Sequence, residues 1–363
     1  MARAFAEIDA AAITHNTAAM VGRALTSEVC AVVKADGYGH GAATAAAAAL
    51  EGGASRLGVA QVAEGISLRS DGFDQPIWLF SEPDPGEFVD CVRFGLEPPL
   101  YSERGIQACI DATRGSSLAV HMMIDTGMHR VGIQPDTAAS VATRLAAQSG
   151  MELSSVWTHL AVADEPGHPY TDSQLDRFET ALEDIESAGV EIPLTHAANS
   201  AATIAVPRAH RDVVRPGIAL YGMPPSAALR DMVELKPAVK LWSTVSLVKR
   251  LNAGDRLSYG LRTTLIRDAN IATLPIGYAD GVPRRWWENG EVLIHGERCK
   301  IVGVVTMDQL MVDVGDLPVV AGDEAVLIGR QGDEGISATD WADALGTINY
   351  EITCGIGARV SRI

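Results

Sequence analysis

The chain has 363 residues, 47% of them hydrophobic, and a formal net charge of −17 at pH 7. A single hydrophobic core stops growing at roughly 250 to 300 residues, so this length predicts two domains. The net negative charge repels phosphate backbones and anionic lipids, and no basic run is longer than a pair such as Arg284-Arg285. These features argue against a nucleic-acid or membrane-surface protein.

The cysteines and the first residues indicate the compartment. Five cysteines are scattered along the chain with no C-x-x-C pair, and this odd number argues against a disulfide framework. Residues 1–9 include acidic side chains where a signal peptide needs an apolar core, and no segment holds 18 uncharged apolar residues. We therefore expect a cytoplasmic protein.

From residue 10 to residue 230, short apolar runs alternate with segments of helical character. Eight runs can be counted, each followed by a polar or glycine-bearing turn: 29–33, 57–60, 77–80, 97–100, 119–124, 155–157, 193–197 and 213–220. Alternating strands and helices predict a parallel sheet, and eight repeats predict a closed (β/α)8 barrel. An open, doubly wound sheet is the alternative, because periodicity does not report closure.

From residue 231 to residue 363 the pattern changes to long apolar runs with short turns. The runs are 239–251, 265–276, 292–294, 301–314 and 324–328. They predict a mainly β domain, which residues 1–9 are expected to join. One helix interrupts it, with Ser337 as its N-cap and Gly346 just past its C-terminus. The predicted fold class is α/β, with an N-terminal barrel and a mainly β C-terminal domain.

Lys34 is the first polar residue after the first predicted strand. The C-terminal ends of barrel strands carry the catalytic groups, and a lysine there is either a Schiff-base nucleophile or a phosphate ligand. Gly37, Gly39 and Gly41 allow the sharp turn that follows. The segment by itself leaves a third reading open, in which Lys34 is a solvated surface residue.

Further polar residues follow the later barrel strands. They are Tyr38, residues 125–130, Thr158-His159, Asn199-Ser200, Arg215 and Gly217-Ile218. Hydroxyl, amide and glycine N–H groups at the ends of the seventh and eighth strands suit a phosphate. A lysine beside a phosphate site favours pyridoxal 5'-phosphate, a cofactor that acts as an electron sink.

These residues carry a resemblance to the alanine racemases, a family of pyridoxal-phosphate enzymes of fold type III. Six segments match the family's motifs in the same order over nearly the whole chain: 31–41 (AVVKADGYGHG), 215–222 (RPGIALYG), 258–260 (SYG), 275–281 (PIGYADG), 307–309 (MDQ) and 348–351 (INYE). The resemblance implies an isomerase that interconverts L- and D-alanine and supplies D-alanine for peptidoglycan.

The resemblance also implies a role for each site residue. Lys34 would bind the cofactor covalently and act as the base on one face of the substrate, with Tyr259 as the base on the other, since inversion needs two opposed proton carriers. Arg215 would face the pyridine nitrogen, with His159 backing it or stacking on the ring. The phosphate would be held by Tyr38, Ser200, Gly217, Ile218 and Tyr350, with Asn199 beside it. Arg130 and the main chain of Met307 would receive the substrate carboxylate, and Tyr278 and Asp308 would line the entrance.

By the same resemblance, the enzyme is a homodimer with composite sites. Tyr259, Tyr278, Met307 and Asp308 would belong to the C-terminal domain of one subunit and complete the barrel mouth of the other. No pair of histidines has a metal-binding spacing, so no metal is expected. His40, His129, His168, His196 and His210 are interpreted as structural or solvated.

The chain departs from the family pattern at Met123. Many relatives have a carbamylated lysine there that orients the arginine corresponding to Arg130, and methionine cannot be carbamylated. Four alternative functions stay open: a racemase of broader specificity for serine and other small side chains, a non-catalytic barrel protein that binds the cofactor, a decarboxylase, and a cofactor-free aldolase. Arg215 disfavours the decarboxylase, which normally places a glutamate against the pyridine nitrogen.

Overall fold

A computed structural model describes residues 3–363, which form two compact units. The barrel unit comprises residues 10–37 and 42–236. The β unit comprises residues 3–9, 38–41 and 237–363. Within the described residues, no helix is both long enough and apolar enough to cross a membrane.

The barrel unit contains eight parallel strands. In chain order they are Glu28–Val32, Arg56–Val59, Ile77–Leu79, a fourth strand divided at Pro98 into Leu96–Glu97 and Pro99–Leu100, Leu118–Met123, Met151–Trp157, Thr195–His196 and Val213–Val214. The eighth strand pairs with the first, and the backbone N–H of Arg215 donates to the Ala198 carbonyl (2.9 Å) between the seventh and eighth. The sheet is therefore closed, as the eight repeats predicted.

Eight helices accompany these strands: Ala10–Ala24, Ala42–Glu51, Val62–Ser70, Phe88–Phe94, Glu103–Ala112, Ala138–Ala146, Pro169–Ser187 and Ser200–Ala205. The alanine-rich helix Ala42–Glu51 buries four small side chains, and Thr14 Oγ1 donates to its Ala48 carbonyl over 3.1 Å. The longest helix begins with proline in its first turn and buries Leu175, Phe178 and Ile185. These apolar positions recur at helical spacing, so the buried face of this helix could be predicted from the sequence.

The last two barrel strands are shorter than predicted. The run 213–220 forms strand only at Val213–Val214, and the run 193–197 only at Thr195–His196. Pro216 has no N–H to donate to a ladder, and after Gly217 the chain enters the 3-10 helix Ile218–Tyr221. Apolar composition alone did not distinguish this buried turn from a strand.

The β unit contains a ten-stranded sheet. Across the sheet the order is Leu247–Leu251, Ala269–Leu274, Leu310–Gly315, Glu297–Ile301, Glu291–Ile294, Glu324–Gln331, Val239–Thr244, Ala4–Ile8 and Ser361–Arg362, with Glu334–Ile336 paired to Glu324–Gln331. The predicted run 239–251 is two strands, and the run 301–314 is broken by a loop over 302–309. Strand Ala4–Ile8 pairs with Val239–Thr244, so the N-terminal segment joins this sheet.

Two short helices, Ala338–Leu345 and Asn349–Cys354, follow the strands of the β unit. Ser337 caps the first of them, because its hydroxyl accepts from the backbone N–H of Asp340 over 3.0 Å. Gly346 ends it in the left-handed conformation, with φ of 69°. Both predicted helix boundaries are confirmed. A separate hairpin pairs Arg256–Leu257 with Thr263–Thr264.

Candidate active site

Lys34 lies two residues beyond the first barrel strand and begins a left-handed turn. Ala35, Asp36, Gly37 and Tyr38 have φ between 53° and 62°, a region that costs energy for residues other than glycine. Glu64 supports the turn, since its carboxylate accepts from the backbone N–H of Ala35 at 2.6 Å. The half-buried Lys34 is therefore held on a strained backbone.

Arg215 lies in the barrel interior with 4% of its surface exposed. Its Nη1 donates to Nδ1 of His196 at 2.6 Å, and its Nη2 donates to the carbonyl of Thr158 at 2.9 Å. The guanidinium carbon is 4.9 Å from the ring centroid of Trp157. Burial lowers the pKa of Arg215 to about 10, so the side chain remains cationic at neutral pH.

His159 lies among positively charged groups. Burial, together with the charges of Arg215, Arg130 and Lys34, lowers the pKa of His159 to about 3. The imidazole is therefore neutral at physiological pH. The charges of Arg215, Arg130 and Lys34 thus all act on this one imidazole, in a chain whose net charge is −17.

Ser200 and Gly217 form a compact polar group after the seventh and eighth strands. The Ser200 hydroxyl oxygen accepts from the backbone N–H of Gly217 at 2.8 Å and of Ala219 at 3.3 Å. With its oxygen accepting twice, the hydroxyl directs its own hydrogen elsewhere. Asn199 caps the helix Ser200–Ala205 through its side-chain oxygen, and Ile218 begins the adjacent 3-10 helix.

The loop that carries Arg130 is organised by Asp125. The buried carboxylate of Asp125 accepts from the backbone N–H groups of Gly127 (3.0 Å) and His129 (2.9 Å). The hydroxyl of Tyr170 donates to the Gly127 carbonyl at 2.9 Å. Arg130 itself is exposed, and within residues 3–363 its side chain has no hydrogen-bond or ion-pair partner. With methionine at position 123, hydrogen bonds made by Asp125 and Tyr170 hold the backbone of the loop that carries Arg130.

Tyr38 and Tyr350 lie together in the β unit. Their ring centroids are 6.0 Å apart. Tyr38 is buried, and this burial raises its pKa well above the ordinary value, so the phenol keeps its proton. It can therefore donate a hydrogen bond to an anion.

Tyr259 lies at the tip of the small hairpin in the β unit and is 75% exposed. Its turn is strained, with φ of 61° at Ser258 and 46° at Leu261. The Arg256 guanidinium supports the turn by donating to the Leu261 carbonyl at 2.7 and 3.1 Å. The backbone therefore presents the Tyr259 phenol outward from a fixed loop.

Tyr278 and the loop of Met307 are joined through a close backbone approach. The N–H of Tyr278 donates to the Thr306 carbonyl at 3.0 Å. A Cβ on Gly277 would meet the carbonyl oxygens of Thr306 and Met307 at 2.3 and 2.4 Å, so only glycine fits there. Tyr278 is 43% exposed and Met307 is 52% exposed.

Arg359 links the neighbouring acidic residues. Its guanidinium lies 2.8 Å from Asp308 and 3.1 Å from the buried Asp280, while Asp280 accepts from the Gly277 N–H at 2.9 Å. Thr306 and Gln309, which flank Met307 and Asp308, line the same groove as Tyr259. The four residues predicted to complete a partner's site thus lie on exposed loops of the β unit.

Comparison with known proteins identifies the family. The alanine racemase N-terminal domain matches residues 8–225, and the alanine racemase C-terminal domain matches residues 238–363. Alanine racemases of Symbiobacterium thermophilum and Thermobifida fusca are 48% and 44% identical, each over 99% of this chain and 96% and 97% of their own. The crystal structure of the alanine racemase from a D-cycloserine-producing Streptomyces lavendulae superposes with a TM-score of 0.95 at 38% identity, covering 100% of this chain and 97% of that one.

The chain belongs to the alanine racemase family. Membership confirms the predicted fold class, with its barrel and mainly β domain, and the prediction of a racemase-type isomerase. The match to both family domains also argues against a barrel-only, non-catalytic protein.

Several residues of this alanine racemase family member were not singled out from the sequence. Glu64 supports the Lys34 turn, and Arg359 joins two acidic residues beside Met307. His196, interpreted as structural or solvated, is the histidine that hydrogen-bonds Arg215. Its position on the seventh predicted strand was a usable signal, because barrel strands direct alternate side chains into the interior.

Proposed function

We propose that this chain interconverts L- and D-alanine with pyridoxal 5'-phosphate as its cofactor, using Lys34 and Tyr259 as bases on opposite faces of the substrate. The observation that carries the proposal is Lys34 just past the end of a barrel strand, with its charge and those of Arg215 and Arg130 acting on the neutral His159. An amine that can form a Schiff base beside cationic groups suits an anionic aldehyde cofactor.

The residues present fit this cofactor. In this proposal the Ser200 hydroxyl and the backbone N–H of Ile218 donate to its phosphate, and Gly217, whose N–H donates to the Ser200 oxygen, holds that hydroxyl in place. The family resemblance assigns Tyr38, Tyr350 and Asn199 to the same phosphate, and the rings of Tyr38 and Tyr350 lie 6.0 Å apart. When bound, pyridoxal 5'-phosphate withdraws electrons from the carbon that loses its proton.

Arg215 sets the electronic environment of the cofactor ring in this proposal. A guanidinium that stays cationic at neutral pH donates hydrogen bonds and cannot accept a proton. A ring nitrogen opposite Arg215 therefore stays unprotonated, and the electron sink is weaker than with a carboxylate partner. We expect this to limit side reactions such as transamination.

The two bases carry the proton across the substrate. Lys34 takes the α-proton from one face while Tyr259 delivers a proton to the other, and the reverse reaction exchanges these roles. Arg130 and the main chain of Met307 bind the substrate carboxylate and orient the α-carbon between the bases. Tyr278 and Asp308 line the path by which alanine enters.

We infer that the active enzyme is a homodimer with two composite sites. Tyr259, Tyr278 and Met307 expose 75%, 43% and 52% of their surfaces, so large aromatic and apolar groups lie on the outside of the single chain. Covering them with a second copy would desolvate these side chains beside a barrel mouth.

Subunit mixing tests this arrangement. Lys34→Ala and Tyr259→Phe chains are each expected to be inactive, but a mixed dimer contains one site with both native residues. Random reassociation should restore about a quarter of wild-type activity, because half of the dimers are mixed and each has one intact site. No recovery, with mixed dimers verified by mass, would exclude sites shared between subunits.

The substrate range is tested by measuring racemisation across a panel of amino acids, with and without added cofactor. Alanine is expected to react fastest. Comparable rates for serine would support the broader-specificity alternative, since one methylene contributes only about 1–3 kcal/mol of discrimination. A colourless, cofactor-independent enzyme would contradict the proposal.

We propose a cytoplasmic role in supplying D-alanine for peptidoglycan. Rescue of a D-alanine-requiring bacterium by the wild-type gene, and not by the Lys34→Ala variant, is the expected result. Growth that still requires external D-alanine, in cells shown to contain active enzyme, would argue against this role.

A further inference from the structure

A line of polar side chains crosses the interior of the barrel unit behind Arg215. After the contact between Arg215 and His196, Nε2 of His196 lies 2.8 Å from the hydroxyl of Ser155. That hydroxyl lies 2.6 Å from Nδ1 of His121. Nε2 of His121 lies 3.1 Å from the carboxylate of Glu97, where the N–H is poorly aligned for a hydrogen bond but close enough for electrostatic attraction.

The chemistry of these groups determines where each hydrogen lies. A guanidinium only donates, so Nδ1 of His196 must accept, and the hydrogen of the neutral ring is then on Nε2. Ser155 accepts from that Nε2 and donates its own hydrogen to Nδ1 of His121. The hydrogen of His121 is then on Nε2, facing Glu97. Every donor in the line points away from Arg215.

The surroundings keep the His196 ring neutral and fixed. His196, Ser155 and His121 are at most 2% exposed. The His196 ring stacks against Trp78 at 4.6 Å and Trp157 at 5.4 Å between centroids. Burial and the charge of Arg215 hold the pKa of His196 well below its ordinary value.

We propose that Ser155, His121 and Glu97 are positioning residues that hold His196 in the tautomer able to accept from Arg215. Ser155 is the central member, because it gives the buried Nε2–H of His196 an acceptor. Without that acceptor the ring would carry an unpaired buried donor, and turning or changing tautomer to satisfy it would break its contact with Arg215. The tautomers stand independently of the proposed function, and only their effect on racemisation rests on it.

Nitrogen NMR of the holoenzyme tests the tautomers directly. The chain has nine histidines, so selective ¹⁵N-histidine labelling with His196→Asn and His121→Asn variants for assignment is practicable. We expect His196 and His121 each to show one tautomer, protonated on Nε2, between pH 6 and 8. A hydrogen on Nδ1 of either ring, or a doubly protonated ring, would overturn the proposal.

The Ser155→Ala variant tests the positioning role. Its kcat is expected to fall by roughly tenfold with little change in KM for alanine, and its His196 signal should lose the pure Nε2–H tautomer. Ser155→Thr retains a hydroxyl and should restore both properties. Ser154→Ala, at the half-buried neighbouring position, is the matched control and should behave as wild type.

Thermal unfolding of each variant separates positioning from misfolding. A rate loss in folded Ser155→Ala without any change in the His196 signal would assign Ser155 a packing role and overturn the proposal. Should the wild-type enzyme fail to racemise alanine, the wild-type NMR result would still decide the tautomers, so failure of the proposed function and failure of this inference are distinguishable.

Discussion

The surroundings of Lys34 and Tyr259 differ in how completely one chain builds them. In the barrel unit that holds Lys34, Arg215 is 4% exposed and its guanidinium has four described neighbours. Tyr259 is 75% exposed on a hairpin tip. Groups that must be neutral or oriented in a low dielectric need a preformed interior, whereas an exposed phenol acquires such surroundings only from another surface.

The largest effect is expected from removing Lys34. Lys34→Ala should lower the racemisation rate by more than ~10⁴-fold, because both the covalent cofactor link and one base are lost. Chiral chromatography of the products and the visible absorbance of the bound cofactor measure the two losses. Lys300→Ala, at an exposed lysine of the β unit, is the control. Near-normal rate and absorbance in Lys34→Ala would refute the assignment.

The Tyr259→Phe variant removes only the proposed base on the exposed hairpin. Racemisation should fall by about 10²–10⁴-fold while the cofactor absorbance is kept. In D₂O, exchange of the α-proton should stop for one enantiomer and persist for the other, which faces Lys34. Because Tyr259 is 75% exposed, the thermal unfolding midpoint of the isolated monomer should not change. Equal loss of exchange for both enantiomers would be incompatible with two opposed bases.

The Asp125→Ala variant tests whether the stability of the barrel unit depends on the hydrogen bonds in the Arg130 loop. Burial alone would raise the pKa of Asp125, but the backbone N–H groups of His129 and Gly127 lower it overall. Its stabilisation is therefore present above the unfolded pKa, near 4, and is lost as pH falls through the lowered folded value. Asp125→Ala should cost about 1–3 kcal/mol at pH 7, with the difference shrinking below about pH 4.

Urea unfolding midpoints at fixed protein concentration measure this effect, with Asp111→Ala as the control. Asp111 forms an exposed ion pair with Arg114. A difference between wild type and Asp125→Ala that stays constant from pH 7 to pH 3 would show that the ionised carboxylate is not the stabilising group.

The smallest effect is expected at Arg359, on the exposed side. Arg359→Ala frees Asp308 and Asp280 from their shared cation, so the loop carrying Met307 should order less readily around substrate. We expect KM for alanine to rise about two- to fivefold with kcat nearly unchanged, because the Arg359 guanidinium itself is exposed to solvent and screened. Arg208→Ala removes exposed pairs with Asp176 and Glu179 and should leave KM unaltered. An equal rise in both variants would show a general charge effect.

The elements recognised in the sequence share a local cause. Alternating apolar runs identified the barrel strands because the spacing of apolar residues in strands and helices depends only on residues close together in the chain. Ser337 and Gly346 identified a helix because capping bonds span only three or four residues. The strand predicted over 213–220 was too long because burial of the turn at Pro216-Gly217 makes its sequence as apolar as a strand.

The order of motifs in the sequence determined the family, the fold class and the set of site residues to consider. Only the tertiary structure decided what those residues touch. Ala35 meets Glu64 across 29 positions, Arg215 meets His196 across 19, and Ser155 bridges two histidines 34 and 41 positions away. Such contacts depend on how strands close around an interior, and no local periodicity records them. The lysine was visible in the sequence, whereas the hydrogen-bonded line behind Arg215 required the folded barrel.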